Sequence, residues 1–247
     1  MKDETLVFPV EGTKKKENDD AEEDVKTVSL IISSSKDTTD WTLSKGMSDG
    51  GCGAPSVVEW EKGKLMMMTA CGDGRRRVYE SADKGNTWME ALGTLSRVWG
   101  SNQEGKAKTV GSGFITATVG NDERDVMLVT LPVYAEKEEK EKGKLHLWLT
   151  DNTHIVDIGP ISEKDDDAAA SALLYKSGNN NNDEKKELVA LYEKKGGDDV
   201  TPHSLFTVTL NKQLERVKEV LTTWKEVDER VSSLCTTLFA GKVTSPD

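Results

Sequence analysis

The stretch Ser81-Ala-Asp83-Lys-Gly85-Asn-Thr87-Trp88 decides the fold, because each of its fixed residues suits one position of a tight β-hairpin turn. Ser81 and Asp83 can accept hydrogen bonds from backbone N–H groups inside the turn. Gly85 can take a positive φ at no steric cost, and Trp88 supplies a large ring that we expect to be buried beneath the turn. The stretch therefore predicts a structural hairpin in which Asp83 is a turn residue and not a catalytic acid.

The spacing S-x-D-x-G-x-T-W is that of the Asp box, and the text around it is similar to one family. Arg75-Arg-Arg-Val-Tyr79 before the box and Arg97-Val-Trp99-Gly100 after it resemble the trans-sialidase family of trypanosomal surface glycoproteins. Further similar segments occur in order along the chain: Gly63-Lys-Leu65, Leu147-Trp-Leu-Thr-Asp-Asn152, Leu174-Tyr-Lys176 and Ser232-Ser-Leu-Cys235. The resemblance implies an all-β fold, namely a partial six-bladed sialidase-type β-propeller of about three to four blades with a C-terminal amphipathic helix.

The strand patterns agree with propeller blades. Short apolar and β-branched runs are separated by charged or glycine-rich turns, as in a β-meander. Ser34-Ser-Lys36-Asp-Thr38-Thr-Asp40-Trp41 keeps the frame of the box in degraded form, and the interval from Trp41 to Trp88 suits one four-stranded blade. Asp151-Asn-Thr-His154 resembles a worn version of the same turn.

The last element changes its periodicity. Apolar residues recur at steps of three and four from Leu214 to Leu234, which predicts an amphipathic helix. We therefore predict the C-terminal portion of a propeller over 1–212, an interdomain-type helix over 213–235 and a tail over 236–247. The family's earlier blades, lectin-like domain and anchor signal have no counterpart here, so we expect a partial family member.

Composition limits the partners and cofactors. The 247-residue chain carries a formal net charge of −11, which argues against nucleic acid and anionic membranes as partners. Three cysteines, Cys52, Cys71 and Cys235, leave at least one thiol unpaired, and none has the spacing of a zinc site. The three histidines are scattered, so we expect no metal and no cofactor.

The chain ends carry no recognisable targeting signal. The charged Met1-Lys-Asp-Glu-Thr5 lacks an apolar signal-peptide core, and the last residues lack a hydrophobic anchor tail. The resemblance nevertheless implies display at the cell surface.

The resemblance also implies a set of catalytic positions. Family enzymes resemble retaining glycosidases with a tyrosine nucleophile, an activating glutamate, an acid/base aspartate and three arginines that bind the sialic acid carboxylate. The glutamate of the family's Gly-Cys-x-Glu-Pro stretch corresponds to Ala54, and the nucleophilic tyrosine corresponds to Ala170. Ala70 stands at the second arginine, and Lys142, with Lys144 as the alternative, stands at the third. The first arginine and the aspartate belong to blades outside this chain.

Three hypotheses of function follow. The leading one is a non-catalytic trans-sialidase-like protein whose relatives bind sialylated or galactosyl glycans and host-cell receptors. The alternatives are exo-α-sialidase or trans-sialidase activity, and a product of a degenerate gene without activity. The expected partners are a sialoglycan or host glycoprotein, the missing blades and lectin-like domain of a full-length member, and further copies of the isolated chain.

Overall fold

The computed structural model describes residues 1–15, 25–35, 40–93, 95–99, 110–120, 122–134, 142–177, 186–196 and 203–239, with side chains of the last segment up to 234. Several features predicted above lie outside the described residues. They are Lys36 and Thr38 of the degraded box, the side chain of Cys235, the tail beyond 239, and most of the low-complexity insertions at 135–143 and 177–186.

The described residues form fourteen strands and one helix. The strands are β1 Leu6–Lys14, β2 Lys26–Ser34, β3 Thr42–Leu43, β4 Cys52–Glu61, β5 Lys64–Cys71, β6 Arg76–Ser81, β7 Met89–Glu90, β8 Phe114–Val119, β9 Arg124–Val133, β10 Lys144–Thr150, β11 Ile155–Pro160, β12 Ala168–Lys176, β13 Glu187–Lys194 and β14 Ser204–Thr209. The helix α1 spans Asn211–Phe239.

Each strand pairs antiparallel with its neighbour in sequence, which gives four separate meanders. The first sheet contains β1–β3, the second β4–β7, the third β8–β11 and the fourth β12–β14. Successive sheets meet through their first strands, since β1 contacts β4, β4 contacts β8, and β8 contacts β12. This arrangement confirms the predicted all-β architecture of successive propeller blades.

Apolar side chains fill the spaces between successive sheets. One cluster joins the second and third sheets and includes Met68, Val78 and Met127, all of them buried. A second cluster joins the third and fourth sheets to α1, where Leu214 and Val217 are buried. The methionine run from Met66 to Met68 is therefore core packing, as unbranched side chains suit irregular gaps.

The structure differs from the sequence prediction in the length of several elements. The helix begins at Asn211 and not at Leu214, because its first turn is polar and carries no apolar periodicity; Leu214 N–H donates to Leu210 O at 2.9 Å. The helix also continues past Leu234 to Phe239. The two-residue strands β3 and β7 are too short to leave a pattern in the sequence.

Cys52 and Cys71 form a disulfide. They are direct partners in the β4–β5 ladder, so the bond joins two strands that backbone hydrogen bonds already hold together. The sequence alone left the pairing of the three cysteines open.

Candidate functional site

The turn at Ser81–Trp88 is closed by its own side chains. Ser81 Oγ donates to Asp83 Oδ1 at 2.8 Å and accepts from Gly85 N–H at 2.7 Å. Asp83 accepts from the backbone N–H and the hydroxyl of Thr87, at 2.9 and 2.7 Å. The hydrogen bonds from Thr87 lower the pKa of Asp83, because they favour the charged carboxylate. Both carboxylate oxygens of Asp83 are thus used inside the turn.

Gly85 and Trp88 join this turn to the first sheet. Gly85 has a φ of 87°, and an added Cβ would lie 2.5 Å from Ile31 Cδ1. Trp88 is half-buried and its indole Nε1 is covered, so the ring is buried only in part. Its Cδ1 lies 2.8 Å from the position of a Cβ on Gly46, which shows that the ring packs on a glycine backbone and not inside an apolar cluster.

A similar turn at Asp151–His154 joins the third sheet to the helix. Asp151 Oδ1 accepts from the backbone N–H groups of Thr153 and His154, at 3.0 and 2.7 Å. Arg124 donates to Asp151 and, at 3.2 Å, to Asp228 of α1. The His154 ring stacks on Trp224 of the helix with centroids 4.9 Å apart. Sequence reasoning missed this contact, because nothing in the spacing links Arg124 to a helix about one hundred residues later.

The residues at the catalytic positions implied by the resemblance gather at one end of the sheets. Ala54 lies near the start of β4 and Ala70 at the end of β5, where Gly53 and Ala70 are register partners. Ala170 lies near the start of β12, and its Cβ is 4.0 Å from the position of a Cβ on Gly111. Lys142 precedes β10, and the adjacent Gly143 accepts from Ala168 N–H at 2.7 Å. We call the three positions Ala54, Ala70 and Ala170, taken together, the alanine site.

The segment Val110–Gly113 binds the sheets together at this end. Ser171 N–H donates to Gly111 O at 3.1 Å, and Ser56 Oγ donates to Ser112 O at 2.7 Å. Gly113 cannot carry a side chain, because a Cβ there would lie 2.4 Å from Thr130 Oγ1. The segment therefore fixes the spacing of β4, β8 and β12 around the alanine site.

The alanine site has no group for glycoside chemistry among its named members. Methyl groups stand at Ala54, Ala70 and Ala170, and a methyl group can neither attack an anomeric carbon nor activate a phenol. Lys142 is exposed, and its Nζ donates to Asp165 O at 3.1 Å. A lysine keeps the positive charge but lacks the two-pronged geometry with which a guanidinium binds a carboxylate.

Two tyrosine–carboxylate pairs exist among the residues that the structure describes, and both are structural. Tyr192 donates to Asp166 at 2.7 Å, and Tyr79 donates to Asp49 at 3.2 Å. Burial raises the pKa of both phenols, and the neighbouring Asp166 raises that of Tyr192 further. A nucleophilic tyrosine needs an accessible oxygen that is easily deprotonated, so neither residue has the surroundings of a nucleophile.

No group of three or more histidine, cysteine, aspartate or glutamate side chains in the described ranges could hold a metal ion. Within the same ranges, no helix combines the length and the apolar character needed to cross a bilayer.

Four antiparallel meanders with Asp-box turns define a protein of the β-propeller class, here an incomplete run of blades. Residues 1–193 match the model of the BNR repeat-like domain, and the chain therefore belongs to that family. Sialidase 85-1.1 of Trypanosoma cruzi is 36% identical to this chain. The aligned region covers 95% of this chain and 29% of that protein. Together these matches confirm the resemblance to the trypanosomal sialidase family over a partial segment.

Solved structures of Trypanosoma rangeli sialidase agree with this assignment. The complex with the inhibitor DANA is 35% identical, with a TM-score of 0.74 over 94% of this chain and 34% of the solved one. The complex with sialic acid is 36% identical, with a TM-score of 0.72 over 91% of this chain and 32% of the solved one. This chain thus spans about a third of the length of these solved chains.

Proposed function

We propose that this protein is a non-catalytic member of the family that binds sialylated glycans. The observation that carries the proposal is the alanine site: Ala54, Ala70 and Ala170 occupy the positions at which the resemblance implies an activating glutamate, an arginine and a nucleophile, each near one end of its strand. Loss of a nucleophile and its base removes the covalent step of a retaining glycosidase but leaves the surrounding surface able to contact a sugar. Binding without turnover is the function that this combination supports.

The ligand class comes from the relatives. Trypanosoma rangeli sialidase has been solved with sialic acid and with the inhibitor DANA, and this chain has the fold of about a third of that protein. We extend sialic acid binding to this chain as a component of the proposal. Host glycoproteins that carry sialylated glycans are the corresponding partners, and the cell surface is the corresponding location.

The first experiment measures release of a fluorescent aglycone from an α-sialoside by the purified protein. No release above the buffer blank is expected, since the positions of the nucleophile and its base both carry methyl groups. An active trypanosomal sialidase serves as the positive control. Turnover that DANA blocks would contradict the proposal and support the enzymatic alternative. That alternative is favoured by the names of the relatives, which are sialidases.

The second experiment measures binding. Saturation-transfer NMR with 3′-sialyllactose should show contact with the sialic acid protons, and lactose should give a weaker response. Equal responses for the two sugars would show that sialic acid is not recognised. The absence of any response would support a product of a degenerate gene without activity.

We also propose that the chain divides into a propeller segment up to about residue 210, a helix segment of Asn211–Phe239 and a tail after it. The support is that the last strand β14 ends at Thr209 and α1 follows directly. Limited proteolysis checks this division, since cleavage should begin in the tail and leave a fragment that contains the four sheets.

A further inference from the structure

A cleft lies between the β8–β9 turn of the third sheet and one face of helix α1. Its volume is about 630 Å³, which is within the range of ligand-binding pockets in proteins. The cleft is lined by the turn residues Val119, Gly120, Asp122 and Arg124 and by the helix residues Lys218, Leu221, Thr222 and Lys225. Strand β8 begins next to the segment Val110–Gly113 and ends at this turn, so the cleft lies at the opposite end of the third sheet from the alanine site.

The lining of this cleft is positively charged, although the whole chain has a formal net charge of −11. Arg124, Lys218 and Lys225 supply three cations. Among the described residues, Asp122 is the one carboxylate that lines the cleft with them. A cleft lined by a surplus of one sign of charge raises the local concentration of ions of the opposite sign. The lining therefore favours an anionic ligand.

The ion pairs of these cations leave them able to contact a ligand. Lys218 binds Glu215 at 2.7 Å and Lys225 binds Asp122 at 2.9 Å, and all four side chains are substantially exposed. Exposed pairs of this kind contribute little free energy, so a bound anion can replace either carboxylate at small cost. Both ion pairs of Arg124 use Nη2, so those pairs leave its Nη1 and Nε for another acceptor.

The cleft also has an apolar wall. Lys218 and Lys225 are seven residues apart, which places them on one helix face about 10 Å apart along the axis, with Leu221 between them. Leu221 and Val119 are buried, and a Cβ added to Gly120 would meet nothing within 4 Å, so the backbone of the turn is open to a ligand there. The lining contains no aromatic ring on which a nucleotide base could stack. A saturated or sugar-like body therefore fits better than a planar one.

We propose that this cleft binds a small organic phosphate with a non-aromatic body, of the class of sugar phosphates. Lysine binds phosphate as a point charge, and the planar guanidinium of arginine adds directed N–H donors. A phosphate monoester carries a charge of about −1.5 to −2 at neutral pH, which matches the excess of cations over carboxylates in the lining. The proposal goes beyond sialoglycan binding and does not depend on it, because the alanine site and the cleft share no residue.

The first experiment tests the charges of the cleft by isothermal titration of glucose 6-phosphate, with glucose and inorganic phosphate as reference ligands. The test variant is the double change Lys218→Gln and Lys225→Gln. The matched control is Lys212→Gln with Arg216→Gln, which removes the same charge from exposed positions of the same helix outside the lining. A thermal melt reports the folding of each variant.

The parent is expected to bind glucose 6-phosphate at millimolar concentrations or below, and more tightly than glucose or inorganic phosphate. The test variant should bind it about tenfold more weakly or worse, the usual scale for the loss of charge-assisted contacts, while the control should keep the affinity of the parent. An equal loss in both variants would mean that only the overall charge matters, and it would overturn the site.

The second experiment fills the cleft without changing its charge. Thr222 is exposed and lines the cleft, whereas its neighbour Thr223 is exposed and does not line it. Thr222→Phe places a ring in the space of the ligand and should weaken binding about tenfold or more, whereas Thr223→Phe should bind as the parent does.

Three results would overturn the proposal. The first is a folded parent that does not bind glucose 6-phosphate at millimolar concentrations. The second is equal affinity for inorganic phosphate and glucose 6-phosphate, which would mean that the cleft does not recognise an organic body. The third is full affinity in a folded Thr222→Phe variant, which would place the ligand elsewhere. None of these results bears on sialoglycan binding, which is measured separately with 3′-sialyllactose.

Discussion

At the scale of single residues, the Asp-box turn shows how one carboxylate stabilises a hairpin without chemistry. Asp83 accepts two hydrogen bonds from Thr87 and one from Ser81, and it is ionised when it does so. Its pKa lies below the ordinary value, which links the stability of the turn to pH.

Replacement of Asp83 by alanine should lower the melting temperature by a few degrees, because the N–H and hydroxyl of Thr87 lose their acceptor. Asp83→Asn keeps one acceptor oxygen and should lose less. The pKa of Asp83 is lower in the folded state, so its ionic stabilisation is present above the unfolded value near pH ~4 and is lost as pH falls through the folded value. Melting curves from pH 7 to pH 3 check this. A constant difference between the parent and Asp83→Asn would contradict it.

Gly85 offers a second test with a matched control. Gly85→Ala must keep a positive φ and place a Cβ against Ile31, so we expect a loss of about 3 kcal/mol. Gly93 has a similar φ of 81° but open space around a Cβ, so Gly93→Ala should lose only about 1 kcal/mol. Urea unfolding measures both. Equal losses would show that the contact with Ile31 has no energetic weight.

At the scale of elements, the sequence predicts those strands and helical turns that have a local pattern of apolar and polar residues. The strand β8 spans Phe114–Val119, where β-branched and apolar residues are bordered by turn residues, the pattern from which the sequence predicts a β-meander. The polar first turn of α1 was missed, since its stabilisation comes from a backbone bond to Leu210 and not from apolar spacing.

Contacts distant in sequence could not be predicted. The sequence named Ala54, Ala70 and Ala170 through the resemblance, but the hydrogen bond from Arg76 to Val110 O depends on three-dimensional packing. The same holds for the contact of Arg124 with Asp228, which joins two elements that local patterns treat separately.

The two halves of helix α1 differ in how much they contribute to the free energy of unfolding. Leu214 is buried against the third and fourth sheets, whereas Leu234 is 65% exposed. Leu214→Ala should therefore reduce the free energy of unfolding by about 3 kcal/mol, and Leu234→Ala by less than about 0.5 kcal/mol. Chemical denaturation followed by circular dichroism separates these values. A similar loss in both variants would mean that the distal half is also packed.

At the scale of the whole molecule, the two end sheets present apolar faces to solvent. On the first sheet, Phe8 and Trp41 form an aromatic pair with centroids 5.4 Å apart, and both are 50% exposed. On the fourth sheet, Leu174 and Leu205 are 67% and 73% exposed. Apolar packing covers the sheet faces that lie between the second, third and fourth sheets. Among the described residues, the outer faces of the first and fourth sheets have no such packing partner.

Exposed apolar faces of this kind promote association, and the net charge of −11 opposes it. We therefore predict that the isolated chain self-associates at tens of micromolar, and that about 0.5 M salt increases the association by screening the repulsion. Light scattering should give a mean mass above the 27.1 kDa of one chain.

Changing Phe8 and Trp41, or Leu174 and Leu205, to serine should lower that mass, because each pair supplies exposed area on one end sheet. Serine at Val231 and Leu234 of the helix, which are also exposed, should lower the mass further, because the helix face adds apolar area. A monomer with a cooperative melt at both low and high salt would show that these faces do not associate.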